Sequence, residues 1–129
     1  EIYEAFKEKY VDIRTPIELT SYKETGVVGS DEVAVEANLN YFGQPIVIAG
    51  KGNGIIDAFC HAIEKHFDIV MEIIDYREHS MEYGTKARAI SYVQIADNEG
   101  GIYFGAGTSS NIIKSSLRAV VSAANKIVK

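Results

Sequence analysis

The one cluster of metal-ligand residue types in the chain is Asp75, Glu78 and His79, within DIVMEIIDYREHSM. Such side chains can hold a divalent cation or pass a proton. On an extended segment, however, Asp75 and His79 face one way and Glu78 the other. Pairing across a sheet with Lys86 or Arg88 is the simpler expectation. His61 and His66 sit on a helical periodicity, about 140° from each other around the axis, so they cannot share a metal. No His-x-His, HExxH or paired cysteine occurs. Cys60 falls in an apolar helical stretch and reads as core. Ser109, Ser110, Ser115 and Ser116 have no adjacent base, and capping by Ser109 or Ser110 explains them better. Catalytic chemistry is not assembled here.

Binding chemistry is better served. Gly50-Lys51-Gly52-Asn53-Gly54 joins an extended segment to a helix whose first turn is nearly bare of side chains. It is neither a Walker A loop nor a dinucleotide fingerprint. Free N–H groups and the positive end of the helix dipole would suit a carboxylate there. Gly105-Ala106-Gly107-Thr108 offers a second, similar approach. The plainer alternative is that the glycines serve only tight turns. Ile55, Ile56 and the residues around Tyr76 are apolar, so the expected guest is a small, partly apolar anion.

The elements that must position these residues follow from periodicity. EIYEAFKEKY has helical spacing, and Pro16 stops its continuation. IELTSYK alternates, with Ile17, Leu19 and Ser21 on one face and Glu18, Thr20 and Tyr22 on the other. DEVAVEANLNYF buries Val33, Val35, Ala37, Leu39 and Tyr41, a turn at Phe42-Gly43-Gln44 follows, and IVIAGK completes a meander. A helix then carries Ile55, Phe59 and Ile63 to Phe67. The second half repeats this order. DIVMEIIDYREHSM, TKARAISYVQIADN and IYFGAG are strands, and a helix from about Ser110 to Lys129 buries Ile113, Leu117, Val120, Val121, Ala124 and Ile127. Both Gly-x-Gly stretches lead into Ile-Ile, with two extra residues between them in the second copy. The expectation is an α+β fold of two tandem βββα units with internal pseudo-two-fold symmetry, after a short N-terminal helix. Residues 1–16 form the lead-in, and 17–129 the main domain (unit one 17–67, unit two 68–129).

Composition sets the remaining bounds. The 129 residues are 47% hydrophobic and 24% charged, which excludes disorder and supports a single core. A net charge of -5 argues against nucleic acid, and no apolar run is long enough for a membrane span. One cysteine and no signal peptide fit a reducing, cytoplasmic setting. The chain opens on Glu1 rather than Met, as an excised domain would.

GKGNGIIDAFCHAI, DYREHSM, KARAISYVQI, YFGAGTSSNI and SLRAVVSAANK, in this order and spacing, resemble the C-terminal regulatory domain of 2-isopropylmalate synthase. The resemblance spans nearly the whole chain. It implies a regulatory and dimerisation domain with no catalytic residue, cofactor or metal of its own. It would follow a metal-dependent catalytic TIM barrel that condenses acetyl-CoA with 2-oxoisovalerate. The effector implied is L-leucine, bound between the two units near a homodimer interface to inhibit leucine biosynthesis. By position, the implied lining is Gly52, Asn53, Gly54, Ile55 and Ile56 at the first helix start. Ile73, Tyr76, Ser80 and Ala87 join them from strands, and Thr108 from the second glycine turn. The family's GNGP turn reads GNGI here, an alanine becomes Ser80, and an aliphatic position is Thr108. Three rival expectations stand beside this one: an isoleucine-binding domain of a citramalate synthase, a dimerisation module without an effector, and a small enzyme using Asp75, Glu78 and His79.

Overall fold

The computed structural model describes residues 14–83 and 86–128, without the side chains of 81–83, 86 and 87. The helix expected over the first ten residues lies outside the described residues. Two three-stranded antiparallel meanders are each followed by a helix. The first unit is β1 (Ile17–Gly26), β2 (Val33–Tyr41), β3 (Gln44–Gly52) and α1 (Ile55–Phe67). The second is β4 (Glu72–Tyr83), β5 (Lys86–Ala96), β6 (Ile102–Ser109) and α2 (Ile112–Ala124). This is the α+β arrangement of paired βββα units expected from the alternation.

The repeat is closer than its glycines suggest. Each helix begins and ends 57 residues after its counterpart, Ile55 against Ile112 and Phe67 against Ala124. Gly50 therefore matches Gly107, and Gly54 matches Asn111, with no insertion between. A Cβ on Gly50 would run into the backbone of Ala58 and Ala62; one on Gly107 would meet the backbone of Ser115 and Ala119. These two glycines let each helix lie directly on its last strand.

Alternation holds in β2, where Val35, Ala37 and Leu39 are buried. It breaks in β1. A bulge between Leu19 and Ser21 reverses the faces, so Ser21 is exposed and Tyr22 packs against the core. The Thr20 hydroxyl donates to the Asn38 carbonyl at 2.7 Å across this irregularity. A matching bulge between Ile73 and Asp75 turns Tyr76 toward the core as well. The β2–β3 turn uses Phe42 and Gly43 at φ 49° and 80°, the positive pair that matches strand twist in a two-residue hairpin.

α1 covers β3 and β2, α2 covers β6 and β5, and α2 also reaches β1. One core joins both units, with Phe59 and Ile63 of α1 alongside Leu117 and Val120 of α2. The α2 boundaries differ from expectation at both ends. Asn111, not Ser109 or Ser110, is its N-cap, and the helix stops at Ala124 before turns through Ile127. Ile113 is exposed rather than buried. No helix among the described residues is long and apolar enough to cross a membrane.

Candidate functional site

Strand β3 ends at Gly52, and Gly54 takes an extended backbone (φ -160°, ψ 175°) as the N-cap of α1. The helical ladder opens when the Ala58 N–H donates to the Gly54 carbonyl at 2.9 Å. Gly54 has no side chain to cap the amides that follow. At the matching start of α2, the Asn111 side chain accepts from the N–H groups of Ile113 and Lys114 at 2.9 and 3.1 Å. The second anion approach expected from the sequence is thus closed by the protein's own side chain. Of these two helix starts among the described residues, that of α1 alone has no side-chain cap.

Asp57 partly serves that start. Its Oδ2 accepts from the Asn53 N–H at 3.0 Å, and a Cβ on Gly52 would strike the same oxygen. Its Oδ1 lies 3.5 Å from His61 Nε2. The His61 Nδ1 is 2.6 Å from the Lys51 carbonyl. That carbonyl, more than Asp57, holds the imidazole above its ordinary pKa, with slight burial pulling the other way.

The remaining expected residues divide into three places. Ile55, Ile56, Ile73 and Tyr76 all pack, half-buried, on the shared core. Ile73 also lines a cavity of about 310 Å³ between α1 and the start of β4, with Asp57, Cys60, Glu64 and Met71. Just before β4, the Met71 N–H donates to Glu64 Oε2 at 3.0 Å. Ser80 is exposed, two pleats beyond Tyr76 on the same face. Ala87 pairs with Glu82 in β5, and its side chain lies outside the described residues. Thr108 is not brought to this face. It pairs with Ile90, one residue off the Gly107–Ser91 pair that faces α2. Its hydroxyl accepts from Arg88 Nη2 at 3.4 Å and its carbonyl from Arg118 Nη1 at 2.7 Å.

The cluster of Asp75, Glu78 and His79 disperses. Asp75 takes its own neighbours, the Tyr76 N–H at 3.0 Å and Arg77 Nε at 3.3 Å. His79 stacks edge-on against Tyr92, while Glu78 accepts from the Tyr76 hydroxyl at 2.6 Å. The register places Gln94, Ser91 and Ile90 opposite Asp75, Glu78 and His79, with Lys86 opposite Tyr83 and Arg88 opposite Met81. No group of three or more His, Cys, Asp or Glu that could hold a metal occurs among the described residues. Cys60 is core as expected; burial, with smaller effects from Glu64 and Asp57, pushes its thiol up to about 12.

A wider, open cleft of about 610 Å³ wraps the β3 edge between Lys23, Lys51, His61 and Lys65. It contains none of the residues expected at the site. Residues that sequence reasoning passed over are Asp57, which serves the α1 start, and the serines that meet Tyr76. The Tyr76 hydroxyl contacts Ser116 Oγ, and Ser91 Oγ lies 2.8 and 3.2 Å from those of Ser115 and Ser116. Aligning the two helices on their Ile-Ile pairs sets Ser115 and Ser116 at the places of Ala58 and Phe59, which are apolar in unit one.

The family model described as the LeuA allosteric (dimerisation) domain matches residues 1–128. The chain belongs to this family. Its relatives include the 2-isopropylmalate synthase of Acetoanaerobium sticklandii, 49% identical over 129 residues that cover 99% of this chain and 23% of that protein. That of Mesorhizobium japonicum is 42% identical over 131 residues (98% and 23%), and that of Clostridium acetobutylicum 36% over 130 (98% and 23%). The chain therefore spans about a quarter of the length of the curated relatives it matches. Membership of the LeuA allosteric (dimerisation) domain family accords with the paired βββα units.

Proposed function

We propose that this chain is the regulatory, dimer-forming part of a cytoplasmic 2-isopropylmalate synthase and that it binds L-leucine for feedback inhibition. A leucine zwitterion needs N–H donors for its carboxylate, acceptors for its ammonium and a pocket for its isobutyl group. The uncapped amides of Ile55 and Ile56, at the positive end of α1, are suited to the carboxylate. The adjoining cavity supplies Asp57 and Glu64 for the ammonium, with Cys60, Met71 and Ile73 as apolar walls. The observation that carries the reading is the contrast between Gly54, which leaves its helix open, and Asn111, which closes the other.

Inhibition of a distant active site requires that leucine bind one arrangement of the parent enzyme more tightly than another. The parent would condense acetyl-CoA with 2-oxoisovalerate, the step that commits carbon to leucine. Titration calorimetry of the chain with leucine, isoleucine and valine tests the assignment. Leucine should bind most tightly. The advantage over isoleucine rests on the placement of one methyl group, worth about 1–3 kcal/mol. Preference for isoleucine would point to a citramalate synthase instead.

One rival is favoured by a specific contact. Asp57 already accepts the Asn53 N–H, as it would in a domain that only dimerises. A dimer in sedimentation that is silent toward all three amino acids would support that rival.

A further inference from the structure

The two units repeat one contact with different chemistry. The 57-residue offset between Ile55 and Ile112 also matches His61 to Arg118 and Lys51 to Thr108. In unit two, Arg118 Nη1 donates to the Thr108 carbonyl at 2.7 Å. In unit one, His61 Nδ1 lies 2.6 Å from the Lys51 carbonyl. Each helix thus reaches back to the penultimate residue of its last strand. An arginine is charged at every working pH, whereas a histidine changes charge near neutrality. Of the two clasps, only the one beside the uncapped helix start can titrate.

A carbonyl only accepts, so His61 Nδ1 must carry a proton. The other ring nitrogen, Nε2, faces Asp57 Oδ1 at 3.5 Å. It serves that carboxylate only when it is protonated too. The imidazolium therefore satisfies both neighbours, while the neutral ring turns a lone pair on Asp57. Asp57 Oδ2 meanwhile accepts from the Asn53 N–H at 3.0 Å, so charged His61 and Asp57 together bracket the Gly52-Asn53-Gly54 turn. His61 also lines the cavity of about 310 Å³, beside Asp57 and Glu64. Contact with the Lys51 carbonyl raises the ring's pKa most, slight burial lowers it, and Asp57, Glu64 and Glu32 raise it further. Glu72 lines the same cavity from β4, and Glu36 lines the open cleft from β2. Lys23, Lys51 and Lys65 share that cleft with His61, and their charges act in the opposite sense.

We propose that His61 and the ammonium of an amino-acid effector compete for Asp57, so that binding at the α1 start expels the His61 proton. This rests on the reading of the chain as an amino-acid-binding regulatory domain and adds a proton linkage to it. At low pH the imidazolium occupies Asp57 and repels an incoming ammonium. At higher pH the neutral ring leaves the carboxylate to the ligand. Affinity then climbs as pH rises through the folded-state pKa of His61. Free leucine stays zwitterionic across this range, so the protein supplies the dependence.

The test uses the full chain as wild type, His61→Gln, which is neutral, and His61→Arg, which copies Arg118. Leucine affinity by calorimetry should rise about fivefold in wild type between about pH 5.5 and 8, a modest coupling because the pair is half-exposed. His61→Gln should bind equally well at both pH values, and His61→Arg should bind weakly at both. Wild-type affinity that is level or falls with pH, or an equal rise in His61→Gln, would overturn the proposal. A second readout needs no leucine. The ¹⁵N imidazole signals of His61 should titrate at lower pH in Asp57→Asn, since an anion beside the ring is gone. An unmoved His61 titration would refute the pairing and the proposal with it. A wild-type chain that ignores leucine at both pH values, while Asp57→Asn moves the His61 titration, would instead overturn the regulatory reading, and the competition for Asp57 would fall with it.

Discussion

Gly54 and Asn111 occupy the same place in two matching units, yet only Asn111 caps its helix. Both have an extended backbone, φ -160° and -106°, and both precede an Ile-Ile pair. Their difference lies wholly in the side chain. Asn111→Ala should destabilise the chain by about 1 kcal/mol through the lost cap, measured by urea denaturation, while leucine affinity stays unchanged.

Gly54→Ser should act in the opposite sense on both quantities. A Cβ at position 54 meets nothing within 4 Å, and the extended φ suits any residue. The new hydroxyl would cap α1 and raise stability by about 0.3 kcal/mol, the small margin of serine over glycine at an N-cap. It would also compete for the amides assigned to the effector, so leucine should bind more weakly.

Gly50→Ala and Gly107→Ala should each cost about 1–3 kcal/mol, because the added methyl meets helix backbone that cannot step aside. Gly26→Ala is the control, with open space around its Cβ. A chain that tolerates all three equally in thermal melts would refute the close packing of helix on strand.

Asn125 joins the end of α2 to the start of β1. Its Oδ1 accepts from the Ile17 N–H at 2.7 Å and its Nδ2 donates to the Ile17 carbonyl at 2.8 Å, across 108 residues of sequence. Asn125→Ala would strand both buried backbone groups. We expect a loss of about 2–3 kcal/mol, together with faster amide exchange at Ile17.

Cys60 gives a pH signature. Its thiol is raised from 9.0 to about 12 in the folded chain, chiefly by burial. Between those values the unfolded state has lost a proton that the native state keeps, so stability falls as pH rises. The decline attributable to Cys60 is at most about 1.4 kcal/mol per pH unit. Cys60→Ala should make stability measurably flatter above pH 9. The same burial should keep the native thiol unreactive toward aromatic disulfides at pH 8 until the chain unfolds.

Much of the architecture was legible because each strand pairs an apolar face with a polar one and each helix follows a Gly-x-Gly stretch. Simple alternation failed at β1 and β4, where bulges after Leu19 and Ile73 reverse the faces and carry Tyr22 and Tyr76 to the core. A bulge adds one residue without any distinctive composition. The uncapped start at Gly54 was legible as a glycine between a strand and a helix. Its closed counterpart was not, since the capping role was assigned to neighbouring serines rather than Asn111. The dispersal of Asp75, Glu78 and His79 depended on strand register, which a single sequence leaves open. Thr108 was grouped with the other site residues through the glycine turn, but the pleat turns it to the other face of its sheet.

The most direct measurement is a ¹⁵N-amide NMR titration of the chain with leucine, read at the two helix starts. The account predicts that Ile55 and Ile56 shift with a single binding curve while Ile113 and Lys114, already bonded to Asn111, stay still. Saturating leucine that leaves Ile55 and Ile56 unmoved, or that moves the Asn111-capped pair instead, would contradict it.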